Sequence, residues 1–233
     1  VVTAAEGASI SHCTITLPST VTATAELIRI DNVAMQLNKV TLNGFDSPHT
    51  IAVFITGADS SASVIQYTTV KRAEYGIYAV DSGVNITRNV FEDLYEVGIF
   101  IRPPAGKDDD ESATPMIGDT TDAATTGFNR FRMNTGIFVK NMVANIAKAE
   151  YNDWGVYTDA EIAGRVLNSP GEIDYVPYLG KALVHGTIAG EVLDKETNEL
   201  ISNSANVSVK LNTTTGSRDN ASNLFIFSSL EPG

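Results

Sequence analysis

A single cysteine, Cys13, stands in 233 residues, which excludes an internal disulfide and any cysteine-based metal centre. Basic residues are scarce: 16 Lys and Arg stand against 28 Asp and Glu, a net charge of −12. That balance argues against a general nucleic-acid or anionic-membrane partner, because attraction to phosphate needs a positive field. Long apolar runs are missing as well. The longest clean one, residues 51–55, is far too short to span a bilayer. No leader-like stretch opens the chain at Val1, so a mature or trimmed product is expected. What is plentiful is apolar material, 43% against 19% charged, enough for a sizeable core and too much for wholesale disorder.

The apolar residues recur in a pattern. Six windows carry a large apolar or aromatic residue at their first and sixth positions: Ile10 and Ile15, Leu37 and Leu42, Ile65 and Val70, Ile86 and Phe91, Phe128 and Met133, Ile146 and Tyr151. Their starts lie 27, 28, 21, 42 and 18 residues apart, the spacing of a stacked solenoid. The windows are too short for helices and rich in Val, Ile, Thr, Tyr and Phe, which favours strands. On one flat strand, positions five apart face opposite sides. Both are apolar, so a corner inside each window is expected, with a short inward-facing strand on either side. Further strands follow, as in Ile77-Tyr-Ala-Val80 and Ile99-Phe-Ile101. A chain that turns, makes another strand and starts again is a parallel β-helix. Six rungs make a rod roughly 29 Å long at 4.8 Å per rung. The glycines before Ile77, Ile99, Ile137 and Val156 are expected at tight corners needing unusual backbone angles.

The phrases ITRNVFEDLYEVGIFI and IAKAEYNDWGVYTDAEIAGRVLNSPGEIDYVPYL resemble the right-handed parallel β-helix (pectate-lyase-like) repeats of bacterial and archaeal extracellular proteins. The resemblance covers about residues 8 to 180 and implies a domain over 1–180 that ends in a terminal cap. It is specific for fold and poor for function, since the fold carries lyases, hydrolases, epimerases and structural spikes alike. In the cap, Thr158 and Glu161 form a capping box, and Ile162 with Val166 makes an i, i+4 apolar pair on a short helix able to blunt the last sheet edge.

After Lys181 the rung pattern gives way to alternating segments around 184–192, 205–211 and 224–227, which read as antiparallel strands. This stretch, 181–233, resembles a carboxypeptidase-regulatory-like, Ig-type β-sandwich, here incomplete. An all-β chain is therefore expected: a solenoid followed by a partial sandwich. Its missing strands would come from further chain or from a neighbouring copy, for instance from residues 1–5. Four Asn-x-Ser/Thr sequons, at Asn85, Asn206, Asn212 and Asn220, together with the cysteine count, nudge the location toward the outside of a cell or its surface.

Catalytic phrases of β-helix hydrolases and lyases are absent. The nearest echo is Gly44-Phe-Asp46-Ser-Pro-His49, similar to the Asp-Pro-His-Glu phrase of mannuronan epimerases but broken by Ser47 and by Thr50. Asp46 and His49 are the candidate catalytic pair; a Pro-containing corner with a solvated histidine is the plain alternative. Residues 102–127 read as an insertion between rungs. Its acidic run Asp108, Asp109, Asp110 and Glu111 could take calcium through several oxygens, though such runs are usually solvated. No other cofactor is expected. The third window positions are His12, Lys39, Tyr67, Arg88, Arg130 and Lys148. Stacked, Lys39, Arg88, Arg130 and Lys148 form a basic column that could hold an anionic glycan, or else pair with nearby carboxylates as a solvated ridge. Two functions remain open: a non-enzymatic extracellular structural or adhesive module of a surface protein or filament, or a carbohydrate-active enzyme (lyase, epimerase or hydrolase) on acidic polysaccharide.

Overall fold

The computed structural model describes residues 2–3, 6–18, 23–46, 49–107, 112–119, 121, 127–156 and 158–179, and after these the backbone of five short strands. Through residue 179 the chain is a parallel β-solenoid of about six turns with almost no helix. The first turn is β1 (Val2–Thr3), β2 (Ala8–Ser11) and β3 (Thr14–Thr16). The second is β4 (Ala25–Asp31), β5 (Met35–Asn38) and β6 (Thr41–Asn43). The third is β7 (Thr50–Thr56), β8 (Val64–Gln66) and β9 (Thr69–Lys71), and the fourth is β10 (Tyr75–Val80), β11 (Asn85–Thr87) and β12 (Val90–Glu92). The fifth has β13 (Val97–Arg102) and β14 (Arg130–Arg132); the sixth has β15 (Ile137–Asn141) and β16 (Ala147–Lys148). A five-residue helix α1 (Asp159–Ala163) precedes β17 (Val166–Asn168) and β18 (Ile173–Asp174). Equivalent strands of successive turns pair in parallel. They make a seven-stranded first sheet ending in β17, a four-stranded second sheet from β2 to β11, and a five-stranded third sheet from β3 to β14.

The window pattern maps directly onto the first four turns. Ile10, Leu37, Ile65 and Ile86 lie in register, as do Ile15, Leu42, Val70 and Phe91. Ile86 and Phe91 are fully buried, with half-exposed Arg88 between them. The corner is where it was expected: His12, Lys39, Tyr67 and Arg88 all have φ between 50° and 58°. One left-handed residue turns the chain enough for both flanking strands to face inward.

The last two windows are read in the wrong register. Phe131 pairs with Phe91, and Arg130 with Val90, so the fifth window closes at Phe131, two residues before Met133. In the sixth turn Asp153 bridges to Arg130 and Trp154 stacks on Phe131 at 4.7 Å, which moves that window to 149–154. The left-handed corner residues confirm the shift: they are Phe128 and Tyr151, with φ of 52° and 53°. The supposed insertion hides the missing face. Met116 bridges to Asn85 and Gly118 to Ala149, so part of 102–127 forms the second side of the fifth turn. Ile117, fully buried, carries the interior there.

Two glycine expectations also change. Gly136 and Gly155 have positive φ, but Gly76 and Gly98 sit within strands. Their constraint is space. A Cβ on Gly98 would meet the Phe138 carbonyl at 2.6 Å and the Phe131 ring at 3.0 Å. The backbone carbonyl of the next turn, with interior side chains behind it, leaves room only for hydrogen.

At the far end, the capping box between Thr158 and Glu161 is present and Ile162 is fully buried. Val166 starts a strand paired with β15, so it is not an i, i+4 partner on the helix. Arg165 donates to the carbonyls of Met133, Thr135 and Gly136 at 2.6–2.9 Å and lies 3.8 Å over the Phe138 ring. At the near end, Val2 and Thr3 pair with Ile28 and Arg29 of their own chain. The segment expected to act as a donor strand is already used there. Beyond residue 179 the pairing becomes antiparallel: β19 (Ile188–Gly190), β20 (Lys210–Leu211), β21 (Thr214–Thr215), β22 (Ser217–Asp219) and β23 (Leu224–Phe227) pair as β19–β23, β22–β23 and β20–β21. No described helix is long and apolar enough to cross a membrane.

Candidate functional site

The corner between the second and third sheets carries the expected column in corrected form. Its members are His12, Lys39, Tyr67, Arg88, Phe128 and Tyr151. The Arg88 guanidinium lies 5.9 Å from the Tyr67 ring and 5.6 Å from the Phe128 ring, and Phe128 stacks on Tyr151 at 6.4 Å. Arg130 and Lys148 stand outside this column. Arg130 aligns with Val90 on the next strand, and Lys148 reaches Asp119 at 2.7 Å. The reason for the register lies one residue further on, beneath the corner. Asn89, Asn129 and Asn152 form a buried row in which the Asn129 and Asn152 side-chain oxygens accept from the backbone N–H of Asn89 and Asn129 at 2.9–3.0 Å. The amide of Asn129 donates to the carbonyls of Ile86 and Ile117. A buried amide that satisfies the bent backbone of its neighbour fixes which residue takes the corner.

The corner leading from the third sheet back to the first is chemically different. Three segments lie side by side: Gly44 N–H donates to Lys71 O, Asp46 N–H to Arg72 O, and Arg72 N–H to Glu92 O. Phe45, Asp46, Arg72 and Asp93 all have left-handed backbone, and the Phe45 N–H is held by Asn43 Oδ1 at 3.0 Å. Asp46 is gripped by two turns above it: Arg72 makes an ion pair with it, its Nε lying 2.9 Å from Oδ1, and the Tyr95 hydroxyl donates to Oδ1. The Arg72 guanidinium lies 5.1 Å from the Phe45 ring. Phe45 and Tyr95 nevertheless remain 40% and 41% exposed. Asp46 and His49, the expected catalytic pair, are engaged separately, His49 Nδ1 lying 3.9 Å from Glu74 Oε2. Burial raises the Glu74 pKa; His49 opposes the rise and the charge of Glu96 adds to it. Tyr75 is raised by burial and then by the same two glutamates.

The remaining carboxylates with resolved shifts behave oppositely. Burial pushes Asp153 up, but hydrogen bonds from Arg132 and the Gly155 N–H outweigh it and hold the group below its ordinary value. Asp119 is likewise lowered against burial by Lys148 and Thr121. Asp81 is lowered chiefly by the Ala113 N–H, with Lys107 assisting against burial. These are fixed anions. A third feature, on the outer face of the first sheet, is a row in register of Arg29, Phe54, Tyr78, Phe100 and Lys140. The cations cap the row at 4.4 and 5.0 Å from the end rings, and Tyr78 and Phe100 meet edge to face.

Sequence reasoning missed Phe45, Arg72, Glu74, Tyr95 and Glu96. The signal existed: two residues past Leu42, Val70 and Phe91, the chain reaches Gly44, Arg72 and Asp93, where polar and small residues cluster. Asp108, Asp109, Asp110 and Glu111 lie outside the described residues. Among the described residues no group of three or more His, Cys, Asp or Glu could hold a metal ion. No protein-family model, curated protein or solved structure matches the chain.

Proposed function

We propose that the chain is a rigid, non-enzymatic module of an extracellular or cell-surface protein or filament, acting by structural display and adhesion. One observation carries this reading: among the described residues, several sets of side chains are committed from one turn to the next. The asparagine row, the capped ring ladder and the Asp119–Lys148 and Asp153–Arg132 pairs serve the stacking of the rod. In this reading the solenoid is of the right-handed, pectate-lyase-like type and occupies 1–180. Residues 181–233 belong to an Ig-type sandwich that joins it to further chain or to neighbouring copies.

A second reading has its own support. Glu74, with its raised pKa, beside His49 and Glu96, has the make-up of an acid–base group, which keeps a carbohydrate-active enzyme on acidic polysaccharide as the alternative. Incubation with alginate or pectate, followed by ultraviolet absorbance and reducing ends, separates the two. No turnover is expected; robust turnover lost in His49→Ala overturns the module reading.

A further inference from the structure

Of the large apolar side chains left exposed among the described residues, two are aromatic, Phe45 and Tyr95, and both stand on the corner between the third and first sheets. Phe45 has a guanidinium near its ring and is still 40% exposed, and among the described residues Tyr95 has neither a ring nor a cation against it. Between these two lies the Arg72–Asp46 ion pair, tied to both through the guanidinium over Phe45 and the Tyr95 hydroxyl on Asp46. Partly exposed rings around a donor and an acceptor held in place by each other are the chemistry that holds sugar rings. The apolar face of a sugar stacks on an aromatic surface, and its hydroxyls need hydrogen-bonding groups already in place.

Charge selects among sugars. Asp46, Glu74, Asp93 and Glu96 lie on the segments of this corner, with Arg72 on Asp46 and the His49 imidazole beside Glu74; the nearby guanidiniums of Arg132 and Arg165 are engaged elsewhere, on Asp153 and on three backbone carbonyls. The neighbouring Lys71 and Glu92 lie in register with each other and cancel. Glu96 N–H donates to Glu74 O at 3.1 Å, which sets the two glutamates on adjacent turns. Their mutual repulsion contributes to the raised pKa of Glu74. Such a surface repels a polyuronate. A ligand bearing protonated amines relieves the repulsion and gains cation–π contact with the rings.

We propose that the corner formed by Phe45, Asp46, Arg72, Glu74, Tyr95 and Glu96 binds a glycan carrying free amino groups, a glucosamine-type chain running along the rod. Phe45 and Tyr95 stack on successive sugars, Asp46 and Arg72 hold hydroxyls, and Glu74 and Glu96 face the ammonium groups. The inference rests on the reading of the rod as an adhesive surface module. It also narrows it, because the ligand is cationic where the basic column would have called for an anionic one.

The test is calorimetric titration of the full 233-residue chain with a glucosamine hexasaccharide, its fully N-acetylated counterpart and a hexagalacturonate, at low salt and at 0.5 M salt. The amine-bearing chain is expected to bind, at least about tenfold more tightly than either competitor, with affinity falling at high salt. Phe45→Ala, Tyr95→Ala and the double change Glu74→Gln, Glu96→Gln are each expected to weaken binding about tenfold or more, with melting curves close to that of the parent. The salt series needs no variant and remains informative if one misfolds. No binding, equal affinity for the acetylated chain, or preference for the galacturonate overturns the proposal. Cleavage or epimerisation of a bound glycan in the same samples would instead overturn the module reading and leave the binding site standing.

Discussion

Where the second sheet turns into the third, Arg88 lies between the Tyr67 and Phe128 rings and an asparagine row fills the space beneath. Where the third sheet turns back into the first, Phe45 and Tyr95 stay exposed around Arg72 and Asp46, and Glu74 and Glu96 meet across adjacent turns. Both corners use left-handed residues to bend the chain. At the first, Tyr67, Arg88, Phe128, Tyr151 and the asparagines meet their equivalents one turn away, so that part of the corner is a device for stacking. At the second, rings and carboxylates keep surface and charge that the rod does not use. The difference separates residues that hold the rod from residues offered to something else.

The sharpest way to break this comparison is to attack the first corner. Asn129→Ala removes buried hydrogen bonds to two carbonyls and leaves the Asn89 N–H unsatisfied. A loss of roughly 3 to 5 kcal/mol is expected in denaturant melts. Phe131→Ala, which empties the stack between Phe91 and Trp154, should cost about as much. Arg130→Ala, one residue before it and exposed, should cost under about 0.5 kcal/mol. Comparable losses at Arg130 and Phe131 would contradict the corrected register.

That register marks the limit of what the sequence made legible. The first four turns could be read because Ile, Leu, Val and Phe recur at both ends of each window with nothing inserted. In the fifth turn the second face is carried by Ile117 and the corner by Phe128, with a run of chain between them, so the six-residue window is broken in two. Phe128 and Met133 imitated its ends. In the sixth, Ile146 and Tyr151 did the same, although Tyr151 is the corner residue and Trp154 the interior one. An aromatic residue is as suitable for stacking outside a corner as for filling the core, and pattern alone does not distinguish them. The second corner escaped notice because its residues come from three separate segments and share no common residue type.

Arg165→Ala tests the cap and should have the next largest effect, about 2 kcal/mol, since three backbone carbonyls lose their donor. At the second corner, Arg72→Ala should cost less than about 1 kcal/mol, because its ion pair with Asp46 is open to solvent. A cost matching that of Asn129→Ala would mean that this corner is structural after all.

Acid titration gives the smallest and most discriminating contrast. The folded pKa values of Asp119 and Asp153 are lowered, so their stabilisation is present above the unfolded aspartate value, about 4, and is lost as pH falls through the lower folded values. Glu74 has the opposite sign. Its raised folded pKa favours the protonated fold, and that contribution disappears as pH rises through the folded value. Glu74→Gln is therefore expected to raise the melting temperature slightly at pH 7 and to leave it nearly unchanged at pH 4. Asp153→Asn should lower it at pH 7 and flatten the fall below pH 4.

The division of labour between the corners is tested most directly by amide chemical-shift mapping of the full chain titrated with the glucosamine hexasaccharide. Shifts concentrated at residues 44–46, 72–74 and 93–96, with Lys39, Arg88 and Phe128 unmoved, are the predicted result. Shifts centred on the Arg88 column, or none at either corner, would contradict it.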